Sequence, residues 1–162
     1  MTVVCGPDQK AGAGAFDIGV GHRLDALQTA DTVVMPGLVD IGREPSRDVL
    51  EAIGAAWAHG ARVAAICSGA FVLAATGLLD GRRATTHWMA TGDFAKHSSK
   101  VLLEPDVLFV DEGRLFTSAG ASAGLDSCLH IVRGDHGQAI AAAAARMAVA
   151  PLHREVRASP AN

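Results

Sequence analysis

The residues best placed to do chemistry lie in one short stretch, ARVAAICSGAF at positions 61–71. An apolar, strand-like run leads directly into Cys67, Ser68 and Gly69, and a helix-forming segment follows. In a parallel sheet, ligands bind beyond the carboxyl ends of the strands, and the start of a helix behind such a turn favours an anion. Cys67 is therefore predicted to be a nucleophile on a strand-to-helix elbow. The alternative is a small cysteine buried under a tight turn.

A nucleophile of this kind needs a base, and His87 is the best-placed candidate. It ends a predicted strand over 83–87 and would emerge at an edge of the sheet; a merely hydrogen-bonded histidine is the alternative. Asp126 and His130 lie four residues apart, where the carboxylate could orient the imidazole or only make a local contact. His130 and His136 are six residues apart across a glycine, which is not metal-ligand spacing. No metal and no cofactor is expected.

Strand-like and helical segments alternate along the chain. This order predicts an α/β domain with a mainly parallel sheet flanked by helices on both faces. The predicted strands are 2–5, 31–35, 62–66 and 83–87, with a hairpin-like pair over 107–110 and 114–117. The predicted helices are 46–60, 70–79 and 89–97, then one from Ser122 that Gly134 and Gly137 interrupt, and 138–149.

Composition and charge exclude several classes of protein. Apolar residues make up 49% and charged residues 19% of the 162 residues, the reverse of a disordered chain. No apolar run is long enough to cross a membrane and no signal peptide is recognisable, which predicts a cytoplasmic protein. A net charge of −3 argues against direct binding to nucleic acid. The three cysteines form no C-x-x-C pair, so a disulfide scaffold or zinc ribbon is not expected, and Cys5 and Cys128 are assigned to the core.

Three segments resemble one known family. The elbow segment of the ThiJ/PfpI superfamily is similar to CSGAFVLAATGLLDGRRATTHW, residues 67–88. The amino-terminal domain of GlxA-type, AraC-family transcriptional regulators is similar to this segment, to TSAGASAGLDSCLHIVRGDHG at 117–137 and to ARMAVAPLHRE at 145–155. The resemblance implies a flavodoxin-like, class I glutamine amidotransferase-like domain over residues 1–150, followed by a linker-like tail over 151–162.

The resemblance also implies a function, namely ligand sensing and oligomerisation in a transcriptional regulator. A small-molecule effector would bind a site made of Gly37, Cys67, Ser68, Gly69, His87 and Gly120. The domain would form a homodimer. DNA would be contacted only through a helix-turn-helix domain, and residues 151–162 do not resemble such a domain. Within this class, the alternative is a domain that dimerises and keeps only a vestigial pocket.

The sequence departs from the family at its start. The family opens with a strand and a helix that often supply the acid beside the elbow cysteine. We find no counterpart before residues 2–5, so we expect either a truncated start or a sheet that lacks this first strand–helix unit. In the protease-like branch a histidine follows the elbow cysteine directly, whereas this chain has Ser68, which argues against a peptidase.

Two other hypotheses keep Cys67 chemically active. Isocyanide hydratases also carry a C-[ST]-G elbow and a similar GLL…RATTHW segment, and the resemblance implies a hydratase or hydrolase in which the elbow thiolate attacks the substrate carbon. The regulator interpretation, in contrast, predicts no catalysis. Redox sensing by Cys67 through a sulfenic acid is the third hypothesis.

Overall fold

The computed structural model describes residues 10–12 and 17–151. The predicted strand at 2–5, Cys5 and the tail from 152 onward lie outside these ranges. The strands are β1 Lys10–Gly12, β2 Asp17–Gly19, β3 Thr32–Met35, β4 Arg62–Ile66, β5 Arg83–Ala84, β6 Leu102–Leu103, β7 Phe109–Asp111 and β8 Leu115–Ser118. The α-helices are α1 Arg47–Ala58, α2 Gly69–Ala75, α3 Thr91–His97, α4 Ala121–His136 and α5 Gln138–Met147, with 3-10 turns over Leu24–Thr29 and Trp88–Ala90.

Four strands form the main sheet, in the order β3-β4-β8-β7. β3 and β8 both run parallel to β4, with Val63 opposite Val33 on one side and Leu115 on the other. β7 runs antiparallel to β8 at the edge of the sheet. The prediction of a mainly parallel sheet is thus confirmed. Because β3, β4 and β8 point the same way, their carboxyl ends meet at one edge.

Helices cover both faces of this sheet. On one face, Val33, Val63 and Leu115 belong to the same buried apolar cluster as Ile53 of α1 and Leu73 of α2. Burial of such side chains supplies most of the driving force for folding. The opposite face lies under α4, where a Cβ on Gly124 would stand only 2.8 Å from the Cγ2 atom of Ile66. Only glycine lets α4 approach β4 this closely.

Helix α2 ends earlier than the sequence predicts, at Ala75 instead of residue 79. Gly77 adopts a φ of +78°, a left-handed conformation that ends helices. The Thr76 hydroxyl donates to the carbonyl of Leu73 at 2.6 Å and accepts from the N–H of Leu78 at 3.2 Å. This side chain therefore replaces the helical bonds that the next turn would have made.

The predicted strand over 83–87 is reduced to the two residues of β5. The N–H of Thr85 donates to the Oγ1 atom of Thr117 at 2.8 Å, so a side chain and not a neighbouring strand takes this bond. Residues 85–87 consequently run past the end of β8 as an irregular segment. This segment places His87 at the carboxyl edge of the sheet.

Helix α4 passes through Gly134 without interruption, contrary to the prediction, and ends at Gly137, whose φ is +83°. Near its end, the guanidinium of Arg62 donates two hydrogen bonds to the Asp135 carboxylate, each 3.0 Å long. These bonds hold the pKa of Asp135 below its usual value. They connect the end of α4 to the start of β4.

No helix in the described ranges combines the length and the apolar character needed to cross a membrane.

Candidate functional site

Cys67 occupies the turn between β4 and α2 in a left-handed backbone conformation, with φ at +58°. Its N–H donates to the carbonyl of Ser118 at 2.8 Å, and its own carbonyl accepts from the Thr86 hydroxyl at 3.1 Å. Non-glycine residues adopt this conformation only where their surroundings enforce it. The side chain is half-buried. The turn therefore has the strained strand-to-helix geometry of a nucleophile elbow.

Two glycines lie where the loop after β3 packs against the elbow, and one of them, Gly69, is required there by the close approach. A Cβ on Gly69 would stand 2.6 Å from the carbonyl oxygen of Pro36, closer than any real Cβ contact. A Cβ on Gly37 would stand 3.4 Å from the Cβ of Cys67 and 3.7 Å from its sulfur. Gly37 therefore lies at ordinary contact distance from the thiol, whereas the close approach of the loop to α2 requires glycine at position 69.

Ser68 joins the same loop to the elbow through its side chain. Its Oγ accepts a hydrogen bond from the N–H of Leu38 at 2.7 Å and donates one to the carbonyl of Leu38 at 2.9 Å. The serine hydroxyl has one proton, so its donor capacity is fully used by Leu38. In this arrangement Ser68 positions the wall of the site.

His87 lies at the same edge, at the start of the 3-10 turn over Trp88–Ala90. Its Nδ1 accepts from the N–H of Met89 at 3.3 Å, which leaves the proton of the neutral ring on Nε2. A Cβ on Gly120 would stand 3.5 Å from the Cδ2 atom of this ring. His87 thus lies close to Gly120 in the turn after β8, at ordinary van der Waals distance.

The six residues predicted to form the site all lie at the carboxyl edge of β3, β4 and β8. Four of them, Gly37, Cys67, Ser68 and Gly69, form the elbow and its facing loop. His87 and Gly120 form a second contact, which Thr86 and Ser118 connect to the backbone of Cys67.

Sequence reasoning missed Thr86 and Ser118, which hold the elbow from either side. Both are fully buried; Thr86 immediately precedes His87, and Ser118 lies two residues before Gly120. A buried hydroxyl such as that of Thr86 must find a partner, and that requirement is the signal that could have identified Thr86. Ser118 acts through its backbone carbonyl, for which the sequence carries no such signal. The Oγ of Ser118 is itself buried without a hydrogen-bond partner among the described residues.

Two neighbouring hydroxyls give a matched test of this network. Thr117→Val is expected to lower the free energy of unfolding by about 1–2 kcal/mol, because it leaves the buried N–H of Thr85 without an acceptor. Ser118→Ala is expected to leave stability unchanged or to raise it slightly, since the Oγ it removes bonds to none of the described residues. Urea unfolding of both variants measures the difference. Equal losses in the two variants would contradict the assigned bonds.

His130 lies away from the elbow and is engaged elsewhere. Its Nε2 bonds to the Asp111 carboxylate at 2.7 Å, and its Nδ1 accepts from Arg133 at 2.8 Å. Because β7 runs antiparallel to β8, Asp111 lies at the opposite edge of the sheet from Cys67. His130 therefore does not serve as a base for the thiol.

In the part of the chain that the structure describes, no group of three His, Cys, Asp or Glu residues is arranged to hold a metal ion.

Comparison with known proteins identifies relatives of two kinds. The sequence profile of the DJ-1/PfpI family matches residues 8–134. The HTH-type transcriptional regulator GbdR of Pseudomonas aeruginosa is 32% identical over 123 residues, which are 76% of this chain and 33% of that protein. The isonitrile hydratase of Pseudomonas putida is 35% identical over 104 residues, which are 64% of this chain and 44% of that protein. The chain thus spans about a third of the length of that regulator.

The fold is also that of solved structures. A ThiJ/PfpI family protein from Pseudomonas syringae superposes with a TM-score of 0.78 at 24% identity, and the match covers 91% of this chain and 62% of that one. This agreement supports the flavodoxin-like architecture predicted from the sequence.

Proposed function

The chain belongs to the DJ-1/PfpI family, and on that premise we propose that it is the ligand-sensing and oligomerisation domain of an AraC-family transcriptional regulator. Its curated relatives include regulators of the helix-turn-helix type. The effector is a small molecule bound at the elbow, and the domain acts as a homodimer in the cytoplasm. Contact with DNA belongs to a helix-turn-helix unit outside the described residues.

The observation that carries this proposal is the pair of hydrogen bonds between Ser68 and Leu38. They fix the loop after β3 to the residue next to the thiol. A molecule that binds at Cys67 must therefore contact this loop, and the contact either displaces the loop or stabilises its position. The loop leads directly into α1. Ligand binding can shift the balance between two arrangements of such a loop, which is what a sensor requires.

Thermal unfolding and thiol labelling together test the sensing function. We expect a small molecule from a metabolite collection to raise the melting temperature of the chain and to slow alkylation of Cys67 by iodoacetamide. The compound should be recovered unchanged. Cys128 provides an internal reference, because burial raises the pKa of its thiol and it should react slowly with or without the compound. Equal labelling of Cys67 with and without every stabilising compound would argue against a sensor at the elbow.

A second candidate function is hydration of an isocyanide at Cys67. It is favoured by the strained elbow at Cys67 and by the similarity to an isonitrile hydratase. The reaction adds water to the isocyanide carbon and yields the N-substituted formamide. Incubation with an alkyl isocyanide, with formamide measured by mass spectrometry, distinguishes the two functions. If the wild type converts the isocyanide and the Cys67→Ser variant does not, the chain is an enzyme and the sensor hypothesis is wrong.

Labelling across a pH series gives the chemical state of the elbow. An activated thiol labels with a midpoint well below about 8.5, the unperturbed value for cysteine. A midpoint at or above that value indicates an inactive elbow, whose function then depends on ligand shape alone. Cys67→Ser identifies the labelled peptide in both cases.

A further inference from the structure

A cleft lies on the outer side of α2, next to the elbow but separate from it. Its volume is about 460 Å³, and its walls are the loop over 38–45, the exposed side of α2 and the segment over 97–101. The six residues of the elbow site are not among the residues that line it. A volume of this size falls in the range of small-molecule pockets. The cleft is therefore a second place where a ligand could bind.

The cleft exists because of the side chains along one side of α2. Phe71 lines it, as do Ala74 and Ala75 one turn later, whose side chains are small. The ring of Phe71 packs edge to face against the buried ring of Phe94, with centroids 5.1 Å apart and an angle of 83°. This contact fixes the position of the Phe71 ring, and Leu38 is a further apolar residue that lines the cleft.

The charges at the rim cancel. Arg43 and Glu44 stand side by side on the loop, and Lys100 pairs with Asp80 at 2.9 Å on the opposite side. Each side thus presents one positive and one negative group. An ion that entered the cleft would meet no net attraction yet would lose part of its hydration. An uncharged ligand avoids that cost.

Uncharged polar residues also line the cleft, namely His97, Ser98 and Ser99. The Nδ1 of His97 donates to the backbone carbonyl of Asp93 at 2.8 Å, because a carbonyl can only accept. The Nε2 of the neutral ring is then an acceptor, and the ring lies 6.5 Å from that of Phe71. We propose that the cleft binds an uncharged aromatic small molecule that carries a hydrogen-bond donor.

The proposal is tested by titrating 4-hydroxybenzamide into the full ¹⁵N-labelled chain and following the backbone amide resonances. We expect saturable shifts confined to the loop over 38–45, α2 and the segment over 97–101. Ala75→Leu fills the cleft and should weaken binding at least tenfold. Ala58→Leu is the matched control, because Ala58 ends α1 as Ala75 ends α2 and both are exposed. This control should bind the probe as the wild type does.

Four results would overturn the proposal. Saturable shifts of wild-type resonances that map outside the cleft would exclude the site. So would the absence of any wild-type shift up to the solubility limit of the probe. Both results hold whether or not the Ala75→Leu variant folds. Wild-type affinity in Ala75→Leu would also exclude the site. Tighter binding of the anion 4-hydroxybenzoate by tenfold or more would show that the ligand class is wrong. Cys67→Ser should bind the probe normally, since Cys67 does not line the cleft, so a failure of sensing at the elbow leaves this test unaffected.

Discussion

Replacing Gly69 with alanine is expected to lower the free energy of unfolding by about 3 kcal/mol or more and the melting temperature by roughly 10 °C. The new Cβ would stand 2.6 Å from the carbonyl oxygen of Pro36 and 2.9 Å from that of Met35. Both are backbone atoms, which cannot rotate aside as the end of a side chain can. Relief of the clash therefore requires β3 and α2 to move apart, and the elbow moves with them. Differential scanning calorimetry measures the loss.

Gly92→Ala is the control for this prediction. Gly92 also lies in the first turn of a short helix, α3, but nothing stands within 4 Å of the position its Cβ would take. Alanine favours the helix over glycine by about 0.5–1 kcal/mol, so this variant should be equal to or more stable than the wild type. Wild-type stability of Gly69→Ala would show that α2 and the end of β3 are not in close contact.

Removing the Ser68 hydroxyl is expected to have the second largest effect. In Ser68→Ala, the N–H and the carbonyl of Leu38 both lose their partner, and each such partly buried group costs about 1–3 kcal/mol. We expect a loss of about 2–4 kcal/mol in the free energy of unfolding. The freed loop should also expose the thiol, so that iodoacetamide labels Cys67 several-fold faster.

Thr91→Ala supplies the comparison. The Thr91 hydroxyl donates to the carbonyl of Trp88 at 2.9 Å, an exposed bond between residues three apart. Water can replace it, so a change below about 1 kcal/mol is expected and labelling of Cys67 should stay at the wild-type rate. If Ser68→Ala matched this control in both measurements, Ser68 would not connect the loop to the elbow.

Local sequence patterns were sufficient to predict the central strands and the turn that carries Cys67. The apolar runs that became β3 and β4 are short and rich in valine and alanine, and turn residues bound both. The elbow followed from the order strand, Cys-Ser-Gly, helix. Within the described ranges, these elements depend mainly on residues that are adjacent in the sequence.

Contacts between distant residues were not predictable in this way. The bond from Ser68 to Leu38 spans 30 positions, and the bond from Thr85 to Thr117 spans 32. The second of these shortened the predicted strand over 83–87, because tertiary contacts override local preference. His130 likewise takes Asp111, 19 positions away, as its carboxylate partner. Polar side chains form such hydrogen bonds only after the folded sheet has placed the two residues close together.

The left-handed backbone at Cys67 has a consequence for laboratory evolution. A residue with a Cβ costs roughly 1–2 kcal/mol in this conformation, whereas glycine adopts it freely. A library selected for thermostability alone should therefore lose the thiol early and enrich glycine at position 67. Proteins often become more stable when a strained functional residue is replaced. Retention of cysteine in such a selection would have to come from a separate requirement for its chemistry.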